Sequence, residues 1–163
     1  MKDSSLKVSQ KMHEVKITYV RPLYSQMPTV KCSKDADEVL RNYIDVETID
    51  HKEFFWVLLL THSNKVLSIS EIGKGETAGV TVNIKEIFQL ALKGNATGLI
   101  LCHNHPSGTL KPSKKDLDIT QKINTIAAFH SFTLLDHLII SSEGFYSFAD
   151  NGHILTPDNT LPF

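Results

Sequence analysis

Apolar residues along the chain follow two periods, one close to every second position and one of three to four. Phe54 to Thr61 is aromatic and aliphatic almost throughout, which predicts a strand covered on both faces. His62-Ser63-Asn64-Lys65 reads as a hairpin turn. Val66 to Ile72 reads as the returning strand, with Val66, Ser68 and Ser70 alternating against Leu67, Ile69 and Glu71. Gly73 and Gly75 are expected to punctuate its end. Thr77 to Val82 predicts a short further strand, as do Gly98 to Cys102, Leu134 to Ser141 and Gly144 to Phe148. Near the start, Val15, Ile17 and Tyr19 alternate with Lys16 and Thr18 as a half-buried edge strand would.

Helical spacing fills the intervals. Ser33 is placed to cap a helix beginning near Lys34, with Val39, Leu40, Tyr43 and Ile44 on its apolar face. Asn83 caps a second helix, with Glu86 three residues on as its reciprocal partner. Ile84, Ile87, Phe88, Ala91 and Leu92 make its core-facing stripe, and Gly94 ends it. Pro112-Ser113 opens a third helix, in which Ile119, Ile123, Ile126, Ala127 and His130 repeat at helical spacing. The order of elements predicts a single α/β (α+β) domain, a mixed sheet with helices packed against it. Residues 1–32 read as a lead-in, 33–150 as the domain and 151–163 as a tail.

The 163 residues are the length of one ordinary domain, and 41% hydrophobic with 21% charged is a globular composition. Net charge is -1, so the basic footprint of a nucleic-acid binder is missing and composition does not support that partner. Cys32 and Cys102 have neither CxxC spacing nor the density of a disulfide framework, which suits reduced thiols. The first dozen residues are polar and show no signal-peptide core. The longest apolar run, Phe54 to Leu60, falls far short of the about 20 residues that span a bilayer. A cytoplasmic protein is expected.

The segment that carries chemistry is HNHPSGTLKPSKKD, residues 103–116. His103 and His105 are two apart at a strand end, so their imidazoles emerge on the same face and can grip one cation. Cys102 and Asn104 then face the other way. Asp116, in the first turn of the next helix, can be folded back by the Pro106–Pro112 loop to supply a third ligand. Two neutral imidazoles and a carboxylate form a ligand set of zinc enzymes, with a fourth position left for water. Duller readings coexist. Paired histidines also occur as surface residues, and Ser113-x-x-Asp116 also fits a capping box. His137, after Asp136 on a strand, reads as a buried structural histidine or as a support for a ligand. His13, His51, His62, His130 and His153 are scattered and receive no role beyond a helix-closing one for His130.

Taken together, His103-Asn104-His105-Pro106-Ser107-Gly108 and Ser113-Lys114-Lys115-Asp116 resemble the metal-binding signature of the JAMM (MPN+/JAB) metalloproteases. That signature is His-x-His-Pro, a spacer, then Ser-x-x-Asp, with a glutamate well upstream. In detail the chain is similar to the bacterial RadC family. Glu71 with its trailing Gly75, Asp136-His137-Leu138-Ile139 and Gly144-Phe145-Tyr146-Ser147-Phe148 extend the likeness over roughly residues 33–150. The resemblance implies a cytidine-deaminase-like sandwich with Zn2+ at one end of the sheet. It implies His103, His105 and Asp116 as ligands, Glu71 as general acid/base and Ser113 as oxyanion helper. The expected activity is hydrolysis of a peptide or of an isopeptide linked to another protein.

Typical RadC proteins also carry an N-terminal helical region of helix-hairpin-helix character and a DNA-repair label. Here residues 1–32 precede the matching stretch, and composition does not argue for DNA. Other enzyme classes lack their signatures. The contiguous HNH string is not the dispersed HNH of nucleases, the PCxxC of zinc deaminases is absent, and His13-Glu14 does not continue into HExxH. A metal-free scaffold of the same fold is the non-enzyme alternative.

Overall fold

The computed structural model describes residue 16 and residues 18–75 and 81–154. Five strands, Glu53–Leu60 (β1), Val66–Gly75 (β2), Gly98–Asn104 (β3), Thr133–Ser141 (β4) and Gly144–Ser147 (β5), form one sheet in the order β2-β1-β3-β4-β5. Three α-helices accompany them: Ser33–Tyr43 (α1), Ile84–Lys93 (α2) and Lys114–Phe129 (α3). β1 pairs antiparallel with both β2 and β3, and β4 with β5. β3 and β4 are parallel, a pairing that requires a crossover, and α3 supplies it.

The sheet is buried on both faces, which is why β1 is apolar from Phe54 to Leu60 and β3 from Leu99 to Cys102. Phe54, Trp56, Leu58 and Leu60 of β1 pack with Ile100, Cys102, Leu138 and Ile140 beneath Ala36 and Leu40 of α1. Phe55, Val57 and Leu59 face the other way with Leu99 and Leu101, beneath Ile87, Phe88 and Ala91 of α2 and Ile123 and Ala127 of α3. The expected mixed sheet with flanking helices is therefore the observed architecture. Arg41 secures α1 to the far end of the sheet. It makes two bonds of 2.9 Å to Asp37 and donates to the carbonyls of Ser141 and Gly144, each at 3.1 Å. No helix among the described residues is long and apolar enough to cross a membrane.

Differences from the sequence reading lie mostly at element ends. Ser33 is the first residue of α1, not its cap. Cys32 holds the N-cap position without a side-chain bond, and the Ser33 hydroxyl donates to Asp150 at 2.6 Å instead. Tyr43, 53% exposed, and Leu92, 54% exposed, are not buried on their predicted apolar faces, and each sits in the last turn of its helix. Asn83 does cap α2, but Glu86 meets its side-chain amide rather than its backbone N–H. Gly94 keeps a right-handed conformation, and the left-handed residue after α2 is Asn95, φ 50°. Gly75 is the last residue of β2, as expected, whereas Gly73 lies inside the strand; they pair with Glu53 and Phe55 respectively. The predicted strand of Val15, Ile17 and Tyr19 lies mostly outside the described residues, and Tyr19 itself is not in a strand. Of Thr77–Val82, residues 81 and 82 are irregular and the others lie outside the described residues.

Asp136 closes the C-terminal end of the fold. Its carboxylate accepts from the backbone N–H of His137 at 2.7 Å and of Ala149 at 2.9 Å, and from the Ser147 hydroxyl at 2.6 Å. Burial raises its pKa, and these three donors only partly offset that. A carboxyl whose folded pKa exceeds the unfolded value favours the fold most at low pH, and that contribution is lost as pH rises through the folded value. Asp136→Asn keeps an acceptor for both backbone donors and removes the buried charge. We expect Asp136→Ala to lose about 3 kcal/mol in urea unfolding at neutral pH and Asp136→Asn to stay within about 1 kcal/mol of wild type. The advantage of Asp136→Asn over wild type should grow as pH rises above about 4.

Candidate metal centre

The centre is assembled where β3 runs out. His103 is the penultimate residue of β3, and the His105 backbone N–H continues the parallel ladder by donating to the Ile140 carbonyl at 3.1 Å. His103 faces the α2/α3 side, stacked on Phe55 at 6.1 Å between ring centroids, while Cys102 and Asn104 are buried on the α1 side. A tight turn from His105 to Gly108 then redirects the chain. Gly108 has φ +78° with open space around it, so the backbone conformation alone calls for glycine there. Ser113 caps α3 with a complete capping box. Its hydroxyl accepts from the Asp116 N–H at 3.2 Å, and the Asp116 carboxylate accepts from the Ser113 N–H at 2.6 Å. The cap and ligand readings of Ser113-x-x-Asp116 thus coexist, because the cap aims the rest of the carboxylate at the histidines.

The three residues converge. His103 Nε2 and His105 Nε2 are 3.0 Å apart, with Asp116 Oδ1 at 3.3 Å from the first and Oδ2 at 3.6 Å from the second. A tetrahedral cation with ligand distances of about 2.0–2.1 Å separates its ligands by about 3.3 Å, so these spacings are those of a coordination shell. The group could hold a metal ion. His105 donates Nδ1–H to the Thr109 carbonyl at 2.7 Å, which leaves its Nε2 as a bare acceptor. His103 Nδ1 contacts Nε2 of the buried His137 at 2.8 Å, so His137 directly supports a candidate ligand.

The electrostatics agree with this geometry. Burial pushes the Asp116 carboxyl up, but the neighbouring His103 and His105 rings and the Ser113 cap outweigh it and hold the group well below the usual carboxylate range. The Asp116 carboxylate raises the proton affinity of His105 against the opposing effect of burial, with smaller contributions from the Thr109 carbonyl and the charge of Glu53. Burial drives His137 well below the ordinary histidine value, so its ring is neutral near pH 7. Burial also pushes the Cys102 thiol well up, an inert sulfur on the opposite face.

Not every residue named from the sequence joins the centre. Ser113 lines a cavity of about 410 Å³ beside it, together with His51, Lys52, Glu53, His105 and Lys111. Glu71 does not. Its hairpin does pack beside β3, but Glu71 is exposed and pairs with Trp56, which pairs in turn with Cys102. Gly73, Phe55 and His103 form the next row, facing the opposite way. Directly paired residues share a face, so Glu71 belongs to the α1 side and the candidate ligands to the other. The carboxylate beside them is Glu53, at the start of β1. It lies two residues before Phe55 and on the same face, as His105 lies two beyond His103.

Sequence reading missed Glu53 because it treated the apolar run as beginning at Phe54. Extending the antiparallel register by one pair would have found it. It also missed the use made of Asn104. That side chain, wholly buried, accepts from the Phe54 N–H at 2.7 Å and donates to the carbonyls of Ile49 at 2.5 Å and Lys52 at 2.6 Å. It fixes the segment that carries His51, Lys52 and Glu53 into the cavity wall.

Comparison with known proteins adds to this. A sequence profile described as RadC-like JAB domain matches residues 30–153. A UPF0758 protein of Flavobacterium johnsoniae is 46% identical over 127 residues, 78% of this chain and 54% of that protein. UPF0758 proteins of Porphyromonas gingivalis and Clostridium perfringens are 36% and 37% identical over 78% and 81% of the chain, and over 56% and 58% of their own lengths. The chain therefore spans little more than half the length of these relatives.

Removing the Asn104 amide leaves one buried donor and two carbonyls without partners, each costing about 1–3 kcal/mol. Asn104→Ala should lose about 3 kcal/mol in urea unfolding and speed amide hydrogen exchange at residues 49–54. Exchange unchanged in that segment would show that other contacts hold it.

Proposed function

The chain belongs to the RadC-like JAB domain family, and on that premise we propose that it is a zinc-dependent amide hydrolase acting on a peptide or isopeptide-linked protein. The observation that carries this reading is the convergence of His103 Nε2, His105 Nε2 and the Asp116 carboxylate beside a cavity that Glu53 and Ser113 also line. Zn2+ bound by these three residues would supply Lewis acidity and lower the pKa of a water at the fourth position toward about 7.

The remaining roles fall to the chain's own groups. We assign the general base to Glu53 in place of Glu71, because Glu53 lines the cavity and acts electrostatically on His105, whereas Glu71 is on the other face of the sheet. The Glu53 carboxylate accepts a proton from the attacking water and returns it to the leaving nitrogen. The Ser113 oxygen accepts the cap bond, so its proton remains free to donate to the oxyanion formed from the substrate carbonyl. Two unpaired thiols, Cys32 and Cys102, support a reducing compartment such as the cytoplasm. A non-catalytic scaffold is the competing reading, though it leaves the convergence of three metal-binding groups without a use.

Metal analysis of protein purified without added zinc should find about one zinc per chain. His103→Ala should abolish it. Asp116→Asn, which keeps an oxygen for the Ser113 cap, should sharply reduce it. Glu53→Gln should retain zinc and slow cleavage of a fluorogenic peptide panel by about a thousandfold, while Glu71→Gln cleaves like wild type. Full activity in Glu53→Gln removes Glu53 from the mechanism, and an absence of zinc in wild type favours the scaffold.

A further inference from the structure

We propose that Thr120 is a positioning residue for the metal centre: its hydroxyl fixes the tautomers of His137 and His103 and so keeps His103 Nε2 free of a proton. The proposal rests on the reading of His103, His105 and Asp116 as metal ligands. A histidine ligand needs its second ring nitrogen held by a partner that sets which nitrogen carries the proton. A carbonyl or carboxylate does this unaided, because it can only accept. His105 has such a partner in the Thr109 carbonyl. His103 does not. Its Nδ1 faces another imidazole, Nε2 of His137, and an imidazole can donate or accept. The direction of that bond has to be decided elsewhere.

Thr120 decides it. Its Oγ1 lies 2.5 Å from the Asp116 backbone carbonyl and 2.6 Å from His137 Nδ1. The hydroxyl has one proton, and the carbonyl can only accept, so the proton goes to the carbonyl. Oγ1 must then accept from His137 Nδ1–H. A neutral His137 protonated on Nδ1 has a bare Nε2, which accepts from His103 Nδ1–H. His103 Nε2 is left as a lone pair aimed at His105 and Asp116. The relay starts on one ligand, crosses β4 and ends on the main chain of another, so strand and helix are joined around the site by its own hydrogen bonds.

Without the hydroxyl the reverse direction becomes available. His137 Nε2–H would donate to His103 Nδ1, and the His103 proton would move to Nε2. There it would point at Asp116 Oδ1, 3.3 Å away, and occupy the lone pair a metal needs. Thr120 therefore selects between two proton arrangements of the same side chains, one open to a cation and one closed by an internal hydrogen bond. Val is close to Thr in shape and lacks the hydroxyl, while Ser keeps the hydroxyl.

Zinc affinity, read by competition with a chromophoric chelator, should fall about 10–100-fold in Thr120→Val and stay near wild type in Thr120→Ser. Nitrogen-15 NMR of the metal-free protein under alkaline conditions should show protons on Nδ1 of both His103 and His137 in wild type, and on Nε2 of both in Thr120→Val. A proton on His103 Nε2 in metal-free wild type overturns the proposal without any variant. Wild-type zinc affinity and an unchanged tautomer in Thr120→Val also overturn it. If wild type takes up no zinc, the hydrolase reading fails, and the NMR comparison still decides what Thr120 does.

Discussion

The antiparallel pairing of β1 with β3, with Phe55 opposite His103, aligns everything the centre contains. One step along this register, the Asn104 side chain meets the Phe54 backbone; two steps along, Glu53 and His105 share a face. Because side chains alternate across a strand, a one-residue slip would turn His103 toward α1 and bring Cys102 to the candidate site. Two-sided burial of β1 and β3 makes such a slip expensive, since it would exchange the residues packed under α1 for those packed under α2 and α3.

Several side chains in this region serve structure and chemistry with different atoms. The Asp116 carboxylate takes the Ser113 backbone N–H in the helix cap and still presents oxygens to both histidines, while its carbonyl anchors Thr120. In the His103-Asn104-His105 triplet, the histidines and the asparagine work on opposite faces of one strand end. The outer residues reach toward Asp116, and the middle one holds the segment that brings Glu53 into place. Such economy follows from the period of a strand. Three consecutive residues can supply two functional groups and one brace without competing for space.

The chain covers little more than half of its relatives' lengths. The candidate centre nonetheless draws its groups from β1, β3, β4, α3 and the loop between β3 and α3, all within the described residues.

The amino-acid pattern alone located the five strands of the sheet, its three helices, the mixed-sheet class and the three candidate ligands, because each depends on spacing within a short stretch: period two at a strand tip, or a cap three residues from a carboxylate. It also offered strands that the described residues do not form. It did not tell which upstream glutamate lies beside the candidate ligands. Glu71 and Glu53 look alike in sequence, each on a strand of the same hairpin. Their difference arises from the bulge at Ile72 and from which face of the sheet each carboxylate occupies, quantities that exist only once β2, β1 and β3 are paired. Tertiary structure likewise decided the partners of His137, since Thr120 is seventeen residues away and His103 thirty-four. Contacts closed across that much chain leave no local period to read, and they follow from packing rather than from the sequence around either residue.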